Sequence, residues 1–396
     1  MFKALKRITY KVPDLAKAKE WYSRVLDMDP VFDTPLGTVF KIGPCTMSLM
    51  PGPDPLPEES DRMGTYWEVD DVDACYRRLL EAGATSYAEV RDILSIRVAR
   101  VKDPFGNIVG LCGQRPVAKR QTIENQPSAT AANVAFCRAL AAVDAREEIR
   151  GPDTMAELFV IDELKSRLKQ ESDRSSLIGT IGNRLYAYFI ARTAFMDAAF
   201  RQALEENLPQ IVFLGAGYDT RAYRFREKIR GARIFEVDAP ATQRRKREIL
   251  QKSGVSVPEQ LTFVALNFKT DDVGAALEAA GFDRALKTLF IWEGVMYYLS
   301  AEDVDKTLAF VRQSSPKGSA VCFDYMTEEL ESINPGEPFR FWIGHEGMRG
   351  FLAQRGFRLV ERLDSSEMEK RFLSLKDGSI AEKALGQFGL VKADVE

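Results

Sequence analysis

The sequence predicts an α/β fold: an open parallel sheet with helices on both faces, preceded by a smaller α+β domain of tandem βαβββ units. Three observations predict it. An apolar strand, Ile211 to Leu214 (IVFL), ends directly in Gly215-Ala216-Gly217, and strand and helix patterns alternate after it. The first part of the chain repeats weakly at an offset of 57, Arg7 to Leu15 (RITYKVPDL) aligning with Gly64 to Val72 (GTYWEVDDV). Between the two, residues 113–130 (GQRPVAKRQTIENQPSAT) lose apolar periodicity and hold two prolines. The expected division is therefore a domain over 1–113, a linker over 114–129 and a second domain over 130–396, in keeping with roughly 150 residues per domain.

Composition narrows the function classes. Hydrophobic residues make up 45% and charged residues 29%, an ordinary globular balance. Lys plus Arg number 55 against 58 Asp plus Glu, and the charge is even along the chain, 15 against 17 before Gln114. Neither part is a basic module, so nucleic-acid binding gains no support. No apolar run approaches the ~20 residues that span a bilayer, and Lys11 and Pro13 interrupt the place of a signal-peptide core. A cytoplasmic protein with no membrane partner is the expectation. Five cysteines without a C-x-x-C pair make neither a disulfide framework nor a zinc site, and His345 is the sole histidine.

In the first repeat, Leu15, Ala18, Trp21, Tyr22, Val25 and Leu26 form one helical face. In the second, Val72, Cys75, Tyr76, Leu79 and Leu80 do the same, with Gly83 as the stop. Short strands follow each helix: Val39 to Ile42 and Thr46 to Met50, then Ile96 to Val101 and Ile108 to Leu111. The segments VPDLAKAKEWYSRVLDM, WEVDDVDACYRRLLEAGA and KDPFGNIVGL resemble the vicinal oxygen chelate family, which includes glyoxalase I and bleomycin-resistance proteins. The resemblance implies a divalent metal held by His, Gln or Glu on the first and last strands of each unit. Arg7, Gly64 and Gly110 stand at those places, with no imidazole or carboxylate among them, so no metal is expected. A small-molecule cup, lined in part by Tyr66 and Trp67, or a pairing or packing surface are the roles left. The resemblance also implies pairing of such domains, hence a homodimer.

In the second domain the strand Arg233 to Val237 ends at Asp238, 23 residues beyond Gly215. Glycines after a strand let the backbone turn close to a ligand, and an acid at that spacing suits ribose hydroxyls, as in a Rossmann-like fold. Thr220 replaces the third glycine of the dinucleotide fingerprint, which favours a cofactor with ribose but no pyrophosphate. Two more strands end in polar residues, Thr262 to Leu266 before Asn267-Phe268 and Thr288 to Trp292 before Glu293-Gly294. A glutamate after a buried strand needs a partner. Glu293 either faces a cationic cofactor, or caps its turn or pairs with an arginine.

The blocks ARTAFMDAAF, VFLGAGYDTRAYRF, FEVDAPATQRRKRE, LNF and FIWEGVMYYLSAEDV resemble the leucine carboxyl methyltransferase family of S-adenosylmethionine (SAM) enzymes. Residue by residue, the resemblance implies that Arg192 binds the methionyl carboxylate, that Gly215, Ala216 and Gly217 admit the methionyl part, and that Asp238 takes the ribose, with Glu236 able to share that role. It places Asn267 and Phe268 beside the adenine, where Asn267 replaces the family's aspartate, and Glu293 near the methionyl amine. Tyr297 and Tyr298 become candidates to orient a substrate, or core packing. His345 is the one imidazole available as a base, or a satisfied surface residue. The expected function is SAM-dependent O-methyl transfer to a small-molecule carboxyl group. The alternative is a non-catalytic binding or resistance protein working through the first domain.

Overall fold

The computed structural model describes residues 7–34, 37–43, 45–52, 65–93, 96–114, 127–267, 270–330 and 338–396. The chain divides into two compact units, Met1–Ala118 and Lys119–Glu396.

The first unit runs β1 (Arg7–Val12), α1 (Leu15–Leu26), β2 (Phe32–Thr34), β3 (Gly37–Ile42) and β4 (Cys45–Pro51). It then repeats as β5 (Tyr66–Glu68), α2 (Val72–Glu81), β6 (Thr85–Ile93), β7 (Ile96–Lys102) and β8 (Ile108–Gln114). These are the two βαβββ units that the sequence predicts, paired as β1-β4-β3-β2 and β5-β8-β7-β6. Each helix opens at an aspartate one offset apart: Asp14 accepts from the Lys17 amide at 3.1 Å, and Asp71 from the Ala74 amide at 2.9 Å. The apolar faces of both helices enter one core, where Trp21, Tyr22, Phe40 and Leu49 meet Val72, Leu79, Val101 and Leu111. Asp103 of the DPFGN turn is buried there and accepts from Tyr22 Oη at 2.7 Å and from the amides of Phe105 and Asn107. Gly110 has a packing reason, because a Cβ there would lie 2.6 Å from the Thr65 carbonyl oxygen and 2.8 Å from Tyr66. Gly64 lies outside the described residues.

The second unit opens with helices: α3 (Ala129–Ala142), a 3-10 turn at Thr154–Phe159, α4 (Asp162–Leu168), α5 (Glu171–Ile181) and α6 (Asn183–Glu205). Strands and helices then alternate as β9 (Gln210–Leu214), α7 (Arg221–Arg224), β10 (Arg233–Asp238), α8 (Pro240–Lys252), β11 (Leu261–Ala265), α9 (Val273–Ala279) and β12 (Thr288–Trp292). The chain continues with α10 (Ala301–Gln313), β13 (Ala320–Met326), α11 (Met348–Ala353), β14 (Phe357–Leu363), α12 (Ser365–Phe372) and β15 (Phe388–Val395). One seven-stranded sheet results, in the order β11-β10-β9-β12-β13-β15-β14.

β9 and β12 are buried on both faces, as continuous apolar strands in a parallel sheet must be. Ile211, Phe213, Leu289, Ile291 and Cys322 pack on one side with Ala191, Phe195 and Phe200 of α6. Val212, Leu214, Phe290, Trp292 and Phe323 pack on the other with Leu277, Val304, Leu308 and Met348. The sheet departs from the expected parallel pattern at β15, which is antiparallel to both neighbours. The 8-residue α12 spans only about 12 Å. Residues 373–387 then lead from it into β15. Among the described residues no helix is long and apolar enough to cross a membrane.

Candidate active site at the strand-order reversal

Strand order reverses between β9, whose next strand in sequence lies to one side, and β12, which lies to the other. In open α/β sheets the crevice beyond the carboxyl ends of the strands at such a point is where ligands bind. Three predicted segments come together there: Gly215-Ala216-Gly217 after β9, Asp238 at the end of β10 and Glu293 after β12.

Gly215 has φ +77°, and a Cβ there would lie 2.5 Å from Val295 Cγ2, so the turn requires glycine on two counts. Its amide and that of Ala216 donate to the Val237 carbonyl at 2.9 and 3.0 Å. Asp238 accepts from the Gly217 amide and, at 2.6 Å, from the Ala239 amide, which ties the glycine turn to β10.

Glu293 bridges two arginines. Its Oε1 is 3.1 Å from Arg192 Nε and its Oε2 is 2.9 Å from Arg221 Nη1. Pairing with an arginine, the second of the two roles the sequence leaves open, is therefore realised twice, while the side chain keeps 13% of its surface exposed. Arg192, on α6, is almost wholly buried and also meets Asp324 Oδ2 at 2.9 Å. Its guanidinium stands 4.9 Å from the ring centre of Phe189. Asp324 further accepts from Tyr188 Oη at 2.6 Å, Tyr297 Oη at 3.3 Å and the Gly294 amide at 2.6 Å. Burial, and then the charge of Asp324, push both phenols well above 10, so they remain neutral donors.

The ion pairs continue inward from Glu293. Arg221 Nε meets Asp197 Oδ1 at 2.7 Å, and Arg221 also pairs with Asp219. Asp197 takes Arg224 through two contacts of 2.8 Å. Asp153 closes the chain between Arg224 at 3.5 Å and Arg138 at 3.2 Å, and Arg138 donates to the Tyr218 carbonyl at 2.7 Å. Burial pushes Asp197 and Asp219 up, yet the facing arginines hold both below the usual carboxylate range. Among the described residues the network counts four guanidiniums against five carboxylates.

Several predicted residues sit elsewhere. Glu236 shares a strand face with Asp238 but lies under α8, where its Oε2 meets Lys246 Nζ at 2.6 Å with both side chains 1% exposed. The structure thus assigns its carboxylate to Lys246, which corrects the expectation that it reaches the crevice with Asp238. His345 is also set apart from the cluster. Its Nδ1 is 2.6 Å from Tyr325 Oη, and Tyr325 faces the side of the sheet opposite Asp324, because alternate residues of β13 point opposite ways. Tyr297 is buried within the network, whereas Tyr298 is half-buried against Phe339. Asn267 follows β11 at the sheet edge, its amide donating to Asp271 Oδ2 at 2.8 Å. Phe268 lies outside the described residues.

Sequence reasoning missed Arg221, Asp324, Asp197 and Arg138. One signal was available: Asp324 interrupts the apolar run AVCFDYM, and a buried acid there demands a partner as Glu293 does.

Residues 131–312 match the family described as leucine carboxyl methyltransferase, and residues 4–111 match the glyoxalase/bleomycin resistance protein/dioxygenase superfamily. A Bacillus subtilis protein provisionally named S-adenosyl-L-methionine-dependent methyltransferase YktD is 28% identical over 48% of this chain and 68% of its own. A Parafrankia protein with the same provisional activity in its name is 32% identical over 47% of this chain and 63% of its own, so the chain spans about two thirds of the length of these relatives. Among solved structures, a glyoxalase-related enzyme from Fulvimarina pelagi is 18% identical, covering 29% of this chain and 91% of its own at a TM-score of 0.26. The chain therefore carries a glyoxalase/bleomycin resistance protein/dioxygenase superfamily domain, followed by a domain of the leucine carboxyl methyltransferase family.

Proposed function

We propose that the second unit binds SAM at the strand-order reversal and transfers its methyl group to a carboxylate oxygen of a small-molecule acceptor. The observation that supports this reading is the convergence of the Gly215 to Gly217 turn, Asp238 and Glu293 at the ends of three adjacent strands. The residues fit the cofactor. The Gly215 turn has no room for a Cβ, and the ion-pair network that reaches the crevice through Glu293 holds one carboxylate more than its guanidiniums balance, which suits a cationic ligand.

In this reading Asp238 accepts from ribose hydroxyls, Glu293 faces the amine, Arg192 the methionyl carboxylate, and Asn267 the adenine. When bound, the cofactor supplies a methyl group activated by positively charged sulfur. The chain's own work is alignment and exclusion of water. A carboxylate acceptor is ionised at neutral pH and needs no base, whereas a hydroxyl would need one. The position of His345, on the other side of the sheet, favours the carboxylate. Tyr298, half-buried at the turn after β12, is the aromatic residue proposed to border the acceptor. The first unit enters as a binding or pairing module.

Calorimetric titration of the full chain with SAM, repeated on Asp238→Ala, tests the cofactor. Saturable binding that the substitution abolishes is expected, followed by base-labile methyl esters when carboxylic acids are supplied with labelled SAM. A folded protein that takes up no SAM overturns the proposal.

A further inference from the structure

Asp324 sits at the end of β13, fully buried, with four donors on one carboxylate: Tyr188 Oη, Tyr297 Oη, Arg192 and the Gly294 amide. Stability alone does not call for such a group, since a buried ion pair is often matched or bettered by packed apolar side chains. Its charge matters because of where Arg192 stands. Glu293 lies between two guanidiniums, and Arg221 is already met by Asp197 and Asp219. Among the described residues, the carboxylates that pair with Arg192 are those of Glu293 and Asp324. Without that charge the network would stand at four guanidiniums against four carboxylates, and a cation arriving at the crevice would meet a floor without its surplus negative charge.

Resting on the SAM reading above, we propose that Asp324 is a positioning residue that makes the crevice prefer a sulfonium over a neutral thioether. It acts through Arg192 and Glu293 and fixes the Gly294 turn between them. The chemistry gives this preference a use. In methyl transfer the new carbon–oxygen bond forms on the acceptor carboxylate while the carbon–sulfur bond breaks with its electron pair remaining on sulfur, so the positive charge disappears. A site that favours the charged form releases the spent thioether to the next sulfonium.

The test measures the affinities of the full chain for SAM and for S-adenosylhomocysteine by calorimetry, in wild type, Asp324→Asn, Asp324→Glu and Tyr188→Phe. Asp324→Asn is expected to weaken SAM about tenfold while leaving S-adenosylhomocysteine within about twofold. Asp324→Glu restores the ratio, and Tyr188→Phe, which removes an uncharged donor, leaves it unchanged. Equal loss of both ligands in Asp324→Asn assigns the residue a purely structural role and overturns the proposal. If that variant fails to fold, Asp197→Asn removes a charge that also stands one arginine from Glu293 but is shared between Arg221 and Arg224. A smaller fall in the same ratio is then expected, and an unchanged ratio overturns the charge argument. Wild type that binds neither ligand refutes the cofactor reading itself, whereas wild type that binds both with a ratio insensitive to these variants refutes only the role of Asp324.

Discussion

Arg221 meets Glu293 at 2.9 Å, so a single ion pair joins the segment that leaves β9 to the turn that leaves β12. Arg221 is 0% exposed and pairs with Asp197 and Asp219 as well. Replacing it with methionine takes the ion pair from Asp219 and leaves Asp197 and Glu293 with one arginine each, and removal of one partner from a buried pair typically costs about 3–5 kcal/mol. Arg221→Met is expected to lower the unfolding free energy measured in urea accordingly, while the same change at exposed Arg358 alters it by less than about 0.5 kcal/mol.

Gly215 is held by both backbone and neighbours. At φ +77° an alanine pays about 1–2 kcal/mol for the left-handed backbone, and its methyl meets Val295. Gly215→Ala is expected to weaken SAM binding at least about tenfold, one decade per 1.4 kcal/mol. Adding Val295→Ala relieves the contact but not the backbone, so calorimetry on the double variant should show partial recovery.

Burial pushes the Glu236 carboxyl up to about 7, against the opposing pull of Lys246. Between the ordinary value of 4.5 and about 7 the folded protein holds a proton that the unfolded chain has released. Stability from this group therefore falls as pH rises through that window. His345 works the other way: burial, then Arg362, keep its imidazole below 6.5, so its contribution is lost as pH falls beneath that value. Denaturant midpoints measured from pH 5 to 7 should fall more in wild type than in Glu236→Gln, since both proteins share the His345 slope.

Tyr22 donates to buried Asp103 across the two halves of the first unit, at 2.7 Å. Tyr22→Phe leaves the ring in place and removes one bond to a buried acceptor, which costs about 1–3 kcal/mol. Faster hydrogen exchange in β1 and β8 is the expected readout.

What could be read from the sequence was local. Tyr10 and Trp67 stand one repeat offset apart, and in the structure Trp67 Nε1 donates to Tyr10 Oη at 3.1 Å. The helix-opening aspartates at 14 and 71 obey the same spacing. Strand ends carrying glycine or an acid identified Gly215, Asp238 and Glu293 because each is announced by the apolar run before it. Partners were not legible. Arg192 and Asp324 lie 132 residues apart, and nothing periodic in the chain says which arginine a buried acid will meet. The same limit hid Lys246, which takes Glu236 away from the crevice, and Tyr325, which receives His345 on the far face of the sheet. Reversal of β15 escaped because an alternating or apolar run marks a strand but not the direction in which it pairs.

β15 has a consequence for how the protein is made. Residues 388–395 lie between β13 and β14, hydrogen-bonded to both. Neither neighbour can complete its pairing until that segment has emerged from the ribosome, although β9 to β13 are synthesised well before it. During translation the exposed edge of β13, carrying Asp324, waits for a strand still to come, and this interval is when the nascent chain is most open to edge-to-edge association.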